Sequence, residues 1–365
     1  MKIAIIGGHF SPALAVVENL INDDVLYIGR KYALEGDRAV SLEYQIINSL
    51  GINFAIITTG RLQRKFTRHT IPSLFKFPQG LIQSYFILRK FKPDVVLGFG
   101  SYLSVPMVIS AFYLKIPVVI HEQTLETGAA NKYLARFAKK ICISWESSEK
   151  FFPKSKAVLT GLPLRNEIIK AKENLSSQIA KEIPEIYVTG GNLGSHKINL
   201  LIENNLSRIL TFAKVIHQTG DSRRFMDFDR LKSLKDKLPD NLKNRYDVKK
   251  FLAEKDLLEV LKNSDLIISR AGINSVAEII YLEKPALLIP LSFSQRNEQK
   301  KNALMAKNLG LAEVLDEKTD LNNFMSILEK MLKNVKEYKL NKLNNVIELN
   351  SAERIIDVAR STVKK

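Results

Sequence analysis

The sequence predicts an α/β protein of two doubly wound domains, each built on a parallel sheet, and three observations lead there. Short apolar runs recur along the chain with helix-length segments between them. Their apolar side chains stand at consecutive positions, as in strands buried on both faces. The pattern breaks after about residue 160 and restarts near residue 185, in a chain of 365 residues, which is long for one α/β core and suits two.

Ile3-Ala4-Ile5-Ile6 opens the first half as a strand, Gly7-Gly8 turns the chain, and Pro12 to Val16 begins a helix. Further strands are read at Val25–Ile28, Phe54–Ile57, Val95–Leu97, Val118–Ile120 and Ile141–Ser144. A charged stretch from Arg165 to Glu182 separates this half from the next. Strands then follow at Glu185–Thr189, Ala213–His217, Tyr246–Val248, Leu266–Ser269 and Ala286–Ile289. The expected organisation is a domain over residues 1–160, a second over 161–350, and an amphipathic helix over 351–365 that closes the second domain or folds back on the first.

The formal charge of +17 fits nucleic acid, an anionic membrane surface or plain lysine richness. A single cysteine, Cys142, excludes an internal disulfide framework, and five scattered histidines show no metal-ligand spacing. No uncharged apolar run reaches the length of a membrane span, and the first residues read as a strand, so the expected location is cytoplasmic. Residues 61–92 hold eight Lys or Arg and no Asp or Glu, with Phe66, Phe75, Phe77, Tyr85 and Phe86 among them. That mixture suits a membrane interface, base stacking or a solvated helix pair with buried phenylalanines.

Polar residues behind the strands are the candidates for chemistry, because open α/β sheets bind ligands at the carboxyl ends of their strands. Gly7-Gly8-His9 could expose amides at a helix N-terminus to phosphate, although GxGxxG is absent and a tight turn needs the same glycines. Gly98-Phe99-Gly100-Ser101-Tyr102 is a second such turn. His121-Glu122-Gln123-Thr124 places four polar side chains behind a central strand, with Gly128 and Asn131 following; His121 could handle a proton and Glu122 orient it. In the second half Gly190-Gly191-Asn192-Leu193-Gly194-Ser195 repeats the glycine turn, with Arg165 near the hinge as a charged partner for a diphosphate. Ser269-Arg270-Ala271-Gly272 follows a later strand. Glu278 on the next helix could accept hydrogen bonds from two sugar hydroxyls, or simply complement the helix dipole. The amide-rich stretch from Ser292 to Asn302, with Glu298 and Gln299, suits sugar hydroxyls.

Taken together, these residues resemble the family of the peptidoglycan glycosyltransferase MurG. The resemblance runs over nearly the whole chain and rests on Pro93-Asp94-Val95-Val96 with the segment 98–106, on His121-Glu122-Gln123 with Gly128 and Asn131, on Gly161-Leu162-Pro163-Leu164-Arg165, and on Ser269-Arg270-Ala271-Gly272 with Glu278. It implies a GT-B fold, two facing Rossmann-like domains, the first for a lipid-linked acceptor and the second for UDP-N-acetylglucosamine. By that similarity His9 is the candidate base ahead of His121, with Glu122 beside it, while Arg165, Gly191, Asn192 and Ser195 serve the donor diphosphate. Leu252 meets the uracil, Glu278 the ribose, and Glu298, Gln299 and Asn302 the donor sugar; Arg270 belongs to the same donor region. The implied reaction moves N-acetylglucosamine with inversion to the muramoyl 4-hydroxyl of an undecaprenyl-diphospho-muramoyl-pentapeptide, at the cytoplasmic face of the membrane. No metal or other cofactor and no nucleic acid is expected. A transferase for another lipid acceptor such as diacylglycerol, a sugar-nucleotide epimerase and a nucleic-acid-binding protein are the competing readings. One departure stands out: where the family has Gly-Gly-Thr-Gly-Gly-His, this chain has only Gly7-Gly8-His9, so its acceptor loop is three residues shorter.

Overall fold

The computed structural model describes residues 1–32, 40–60, 70–173, 181–191, 194–222, 225–294, 297–317, 323–341 and 347–363. The chain divides into two compact units, Met1–Arg165 with Glu348–Lys365, and Asn166–Ile347.

The first unit alternates strands and helices in the order β1 (Lys2–Ile6), α1 (Phe10–Val17), β2 (Asp24–Gly29), α2 (Leu42–Ser49), β3 (Asn53–Ile56), α3 (Thr70–Phe91), β4 (Val95–Gly98), α4 (Ser104–Tyr113), β5 (Val118–Glu122), α5 (Ala129–Leu134), β6 (Lys140–Ile143) and β7 (Ala157–Leu159). The strands form one parallel sheet in the order β3-β2-β1-β4-β5-β6-β7. Successive strands wind outward from β1 in one direction and from β4 in the other, so the order reverses between these two neighbours. In β1 the period of two sorts the side chains: Ile3 and Ile5 enter a core shared with Leu14, Tyr27 and Leu97, whereas Ala4 and Ile6 enter the opposite core with Val96 and Met107. Each large apolar side chain fully buried in this way contributes about 1.5–3 kcal/mol.

The second unit comprises α6 (Asn166–Glu173), β8 (Glu185–Thr189), α7 (His196–Phe212), β9 (Lys214–Gln218), α8 (Asp227–Asp236), α9 (Asp240–Lys243), β10 (Tyr246–Lys249), α10 (Glu254–Asn263), β11 (Leu266–Ser269), α11 (Ile273–Leu282), β12 (Ala286–Leu288), α12 (Glu298–Asn308), β13 (Ala312–Val314) and α13 (Phe324–Lys333). Its parallel sheet runs β10-β9-β8-β11-β12-β13, with the reversal between β8 and β11.

The last helix, α14 (Ser351–Thr362), lies on the first unit. Ile355, Ile356, Ala352 and Ala359 join the core of β1 and β4, Arg360 pairs with Asp23 at 3.0 Å, and the Lys139 ammonium donates to the Thr362 carbonyl at 2.8 Å. Two short strands, β7 and β13, complete the sheets beyond those read from the sequence.

Register matters most for function. Ile6 stands opposite Ile28 and Gly98, and Gly98 opposite Ile120, so the strands end level and their loops emerge along one edge. Thr189 stands likewise opposite Gln218 and Ser269 in the second unit.

Candidate functional site

At the edge of the first unit, the turns after β1 and β4 interlock. Gly7 N–H donates to the Ile28 carbonyl at 2.8 Å and His9 N–H to the Phe99 carbonyl at 3.2 Å. Gly100 takes a left-handed φ of +74°, and a β-carbon there would fall 3.1 Å from His9 Cδ2 and 3.6 Å from Asn131 Nδ2. Glycine is what lets the imidazole lie against this turn. His9 precedes α1 as its N-cap residue, with no side-chain cap bond, and is exposed. The protein packed around the ring lowers its pKa from the ordinary value, and the charge of Glu122 works in the opposite direction. The ring is therefore neutral near pH 7, while the carboxylate favours its cation once a proton arrives.

His121 and Glu122 lie beneath this surface. His121 is 1% exposed, stacks obliquely on Phe99 and shares a 3.0 Å hydrogen bond between Nε2 and Ser144 Oγ. Burial pushes its pKa down to about 3, with a Gly161 backbone contact opposing. Glu122 is 2% exposed. Its Oε1 accepts from Thr124 N–H at 3.1 Å and Thr124 Oγ1 at 2.7 Å; its Oε2 accepts from Gly128 N–H at 2.9 Å and Asn131 Nδ2 at 3.2 Å. The carboxylate folds the 123–128 loop around itself and sits at the start of α5. Neither residue is open to a substrate; both position the loop, and His9 is the one of the three at the surface.

In the second unit the turn after β8 requires glycine at Gly190 and Gly194. A β-carbon on Gly190 would meet Ser195 N at 2.2 Å, and one on Gly194 would meet the Thr219 carbonyl oxygen at 1.9 Å. Gly191, at φ +78°, has open space where its β-carbon would be. Ser195 caps α7, accepting from Ile198 N–H at 3.5 Å. The seventeen-residue helix brings its N-terminal dipole and first-turn amides to this edge. Asn192 lies outside the described residues.

Arg270 does not offer its charge outward. Its guanidinium is nearly buried and donates to Ser195 Oγ at 2.9 Å, the Ile289 carbonyl at 3.0 Å and Glu317 at 2.6 Å. Glu317 also accepts from Ser292 Oγ at 3.0 Å and pairs with Lys197 at 3.2 Å. Burial raises the Glu317 pKa, but these partners, Arg270 foremost, hold it below the usual carboxylate range. The pair ties together the turns after β8, β11, β12 and β13, which makes Arg270 a positioning residue.

The remaining candidates sort similarly. Asn302 is fully buried and donates to the Ala271 carbonyl at 3.0 Å, bracing α12 against the turn before α11. Gln299 Oε1 accepts from Leu291 N–H at 3.0 Å and holds the 291–294 loop; Glu298 is the first residue of α12 and half-buried. Leu252 N–H donates to Gln218 Oε1 at 3.2 Å, so the carboxamide occupies a group the sequence reading assigns to a base. Glu278 is half-buried on α11, and Arg165 is the last residue of the first unit before the chain crosses. Burial pushes the Cys142 thiol up to about 12, which leaves it inert. Among the described residues no cluster of three or more His, Cys, Asp or Glu is placed to hold a metal ion.

The sequence reading missed Glu317 and a buried polar chain in the second unit. His196 Nδ1 meets Asp227 at 2.7 Å, Asp227 accepts from Asn199 Nδ2 at 2.8 Å, and His217 bridges Asn199 Oδ1 and Tyr246 Oη, each at 3.0 Å. It also missed Arg30, which follows β2 at the same edge as His9. That residue was open to the strand-end rule that singled out the others.

Two parallel-sheet units whose glycine turns present helix N-termini at a level strand edge are the parts of a GT-B fold. Residues 6–143 match the glycosyltransferase family 28 N-terminal domain, and residues 185–358 match its C-terminal domain. A Clostridium botulinum protein named UDP-N-acetylglucosamine–N-acetylmuramyl-(pentapeptide) pyrophosphoryl-undecaprenol N-acetylglucosamine transferase is 37% identical over 98% of this chain and 96% of its own length. A Bacillus cereus protein of the same name, numbered 2, is 33% identical over 91% of this chain and 90% of its own. The crystal structure of Acinetobacter baumannii MurG superposes with a TM-score of 0.68 at 23% identity, covering 99% of both chains. A UDP-GlcNAc 2-epimerase from Neisseria meningitidis shares the fold at a TM-score of 0.67 and 17% identity, over 99% of this chain and 100% of its own. The chain belongs to glycosyltransferase family 28, and within it to the MurG family.

The buried histidines give the fold a defined acid response. His121 and His217 each have a pKa pushed down to about 3, chiefly by burial. Below about pH 6.5 the unfolded chain binds a proton at each and the folded chain does not, until pH nears the folded value. Stability is therefore full above about pH 6.5 and falls toward acid by about 1.4 kcal/mol per pH unit for each histidine. Urea unfolding at several pH values between 7 and 5 reads this, and His217→Gln is expected to flatten the slope; an unchanged slope contradicts a neutral buried ring.

Proposed function

We propose that this chain transfers N-acetylglucosamine from UDP-N-acetylglucosamine to the muramoyl 4-hydroxyl of undecaprenyl-diphospho-N-acetylmuramoyl-pentapeptide, a step in peptidoglycan precursor synthesis. The full-length likeness to transferases named for that donor and acceptor carries the reading. The fold alone is shared with an epimerase, but the 37% identity over nearly the whole chain is to a transferase.

The first unit takes the acceptor and His9 is the base. Its imidazole is exposed at the strand edge and neutral near pH 7, and it receives the 4-hydroxyl proton as that oxygen attacks the anomeric carbon. The new C–O bond forms on the face opposite the leaving group, the bond to the UDP β-phosphate oxygen breaks, and the α-linked donor gives a β-linked product. Glu122 stabilises the imidazolium at a distance while remaining bound to its own loop. In the second unit the first-turn amides at the N-terminus of α7 stabilise the charge that develops on UDP. Glu278 takes the ribose hydroxyls. Arg270, held by Glu317, keeps the turns in register, and Asn302 and Gln299 do the same for the loop that meets the donor sugar.

We also place the acceptor unit on the membrane surface. No described helix is long and apolar enough to cross a bilayer. Helices α3 and α4 pack together, with Ser110 Oγ donating to the Leu81 carbonyl at 3.2 Å. Their outer side exposes Ile82, Phe86, Phe112 and Tyr113, and Arg89, Lys90, Lys115 and Arg136 are exposed nearby. Apolar side chains flanked by cations fit an anionic interface. Of the basic segment read from the sequence, residues 61–69, with Arg64, Lys65 and Arg68, lie outside the described residues.

The direct assay supplies radiolabelled UDP-N-acetylglucosamine with the muramoyl-pentapeptide diphospholipid and looks for labelled disaccharide lipid; free N-acetylmannosamine or its nucleotide as product would indicate an epimerase instead. In that assay His9→Ala is expected to lower kcat by about 10²–10⁴-fold with UDP affinity by calorimetry unchanged, and turnover near wild type removes His9 from the base role. Phe86→Glu with Ile82→Glu is expected to abolish co-sedimentation with anionic vesicles while leaving UDP affinity intact; retained sedimentation locates the membrane surface elsewhere.

A further inference from the structure

The turn that carries His9 is short of donors for a diphosphate. Two of its three amides, those of Gly7 and His9, are engaged by the Ile28 and Phe99 carbonyls, and Pro12 has none to offer, which leaves those of Gly8 and, in the first turn of α1, Phe10 and Ser11. The turn is also packed close: a β-carbon on Gly8 would stand 2.6 Å from the Gly100 carbonyl oxygen. A cation here would complement the charge of an acceptor diphosphate carried one sugar ring away from the reacting hydroxyl.

Arg30 is a guanidinium at this edge. It follows β2 directly, and its NH1 group donates to Tyr102 Oη at 2.9 Å, with Cζ 5.5 Å from the Tyr102 ring centre. Tyr102 belongs to the turn after β4, and β1 lies between β2 and β4 in the sheet. Two strand spacings separate the bases of these side chains, about 10 Å. The pair therefore bridges the end of β1, at the rim of the turn that holds His9. The Arg30 Nε is shielded from solvent and has no hydrogen-bond partner among the described residues, a costly state for a charged donor. Across the turn, Glu43 accepts the Tyr27 hydroxyl at 2.5 Å and fills the space beside Gly7. Burial raises the Glu43 pKa, against the influence of Tyr27 and Arg30, so its opposing negative charge is held less firmly.

We propose that Arg30, steadied by Tyr102, binds the diphosphate of the lipid-linked acceptor and supplies what the short glycine turn lacks. This deepens the functional reading above and rests on it. A guanidinium suits the task because its fork matches two phosphate oxygens, which an ammonium does not.

The test varies the muramoyl-pentapeptide diphospholipid at saturating UDP-N-acetylglucosamine. Arg30→Gln is expected to raise the acceptor KM by about tenfold or more and leave UDP affinity by calorimetry unchanged. Arg30→Lys should recover part of the loss, and Tyr102→Phe should give a smaller rise in the same constant. Geranyl diphosphate, which carries the diphosphate without the sugar, should bind wild type and be lost from Arg30→Gln. An acceptor KM within about twofold of wild type in Arg30→Gln, or a parallel loss of UDP binding, overturns the proposal. If wild type fails to convert the diphospholipid at all, the functional reading falls, and geranyl diphosphate alone then decides on Arg30: lost binding in Arg30→Gln supports the site, and equal binding refutes it.

Discussion

Level strand ends are the constraint on which the rest of this molecule depends. In each unit the parallel register brings the carboxyl ends of four central strands to one line, and the order reverses between two of them. Loops diverge at that reversal and leave a crevice, while the helices that follow point their N-termini toward it. Glycine is required where two turns must interlock there, as at Gly8 against Gly100 and Gly194 against Thr219. A parallel sheet buried on both faces makes the edge rigid, because shifting one strand disturbs two apolar cores at once.

Buried polar groups convert this rigid edge into placed chemistry. Glu122 gathers donors from Thr124, Gly128 and Asn131 and thereby shapes the loop beside His9. The Arg270–Glu317 pair does the equivalent for the second unit, linking four turns through one guanidinium. Removing one member of such a buried pair leaves an uncompensated charge, at a cost of about 3–5 kcal/mol. These residues are therefore expected to be intolerant of change on structural grounds alone.

The doubly wound class was legible because buried strands write themselves as largely apolar runs, and eleven of them could be placed to within a residue or two. The strands that were missed explain themselves. β7 has three residues at a sheet edge, and β13 carries Glu313 at its centre, bonded outward to Lys307. Candidate site positions were legible from their place behind strands, since topology brings such residues to the ligand edge. What each side chain does there was not. Sequence could not show that Arg270 is turned inward to Glu317, that Asn302 and His121 are buried, or that the Leu252 amide is held by Gln218. Those outcomes depend on partners between 23 and 47 positions away, such as Ser144 for His121 and Glu317 for Arg270, and no local spacing records them. Arg30 stood behind a strand and was open to the same rule, but its contact with Tyr102 is made across an intervening strand and becomes visible only once the strand order is known.

The central claim is that the crevice of the second unit holds the nucleotide through backbone amides and one carboxylate. A crystal structure with UDP bound tests it most directly. The account expects the diphosphate on the 190–195 turn at the start of α7, the ribose hydroxyls on Glu278, and the Leu252 amide freed from Gln218 to meet the base. UDP seated away from α7 and Glu278, with the Gln218 contact to Leu252 undisturbed, would contradict it.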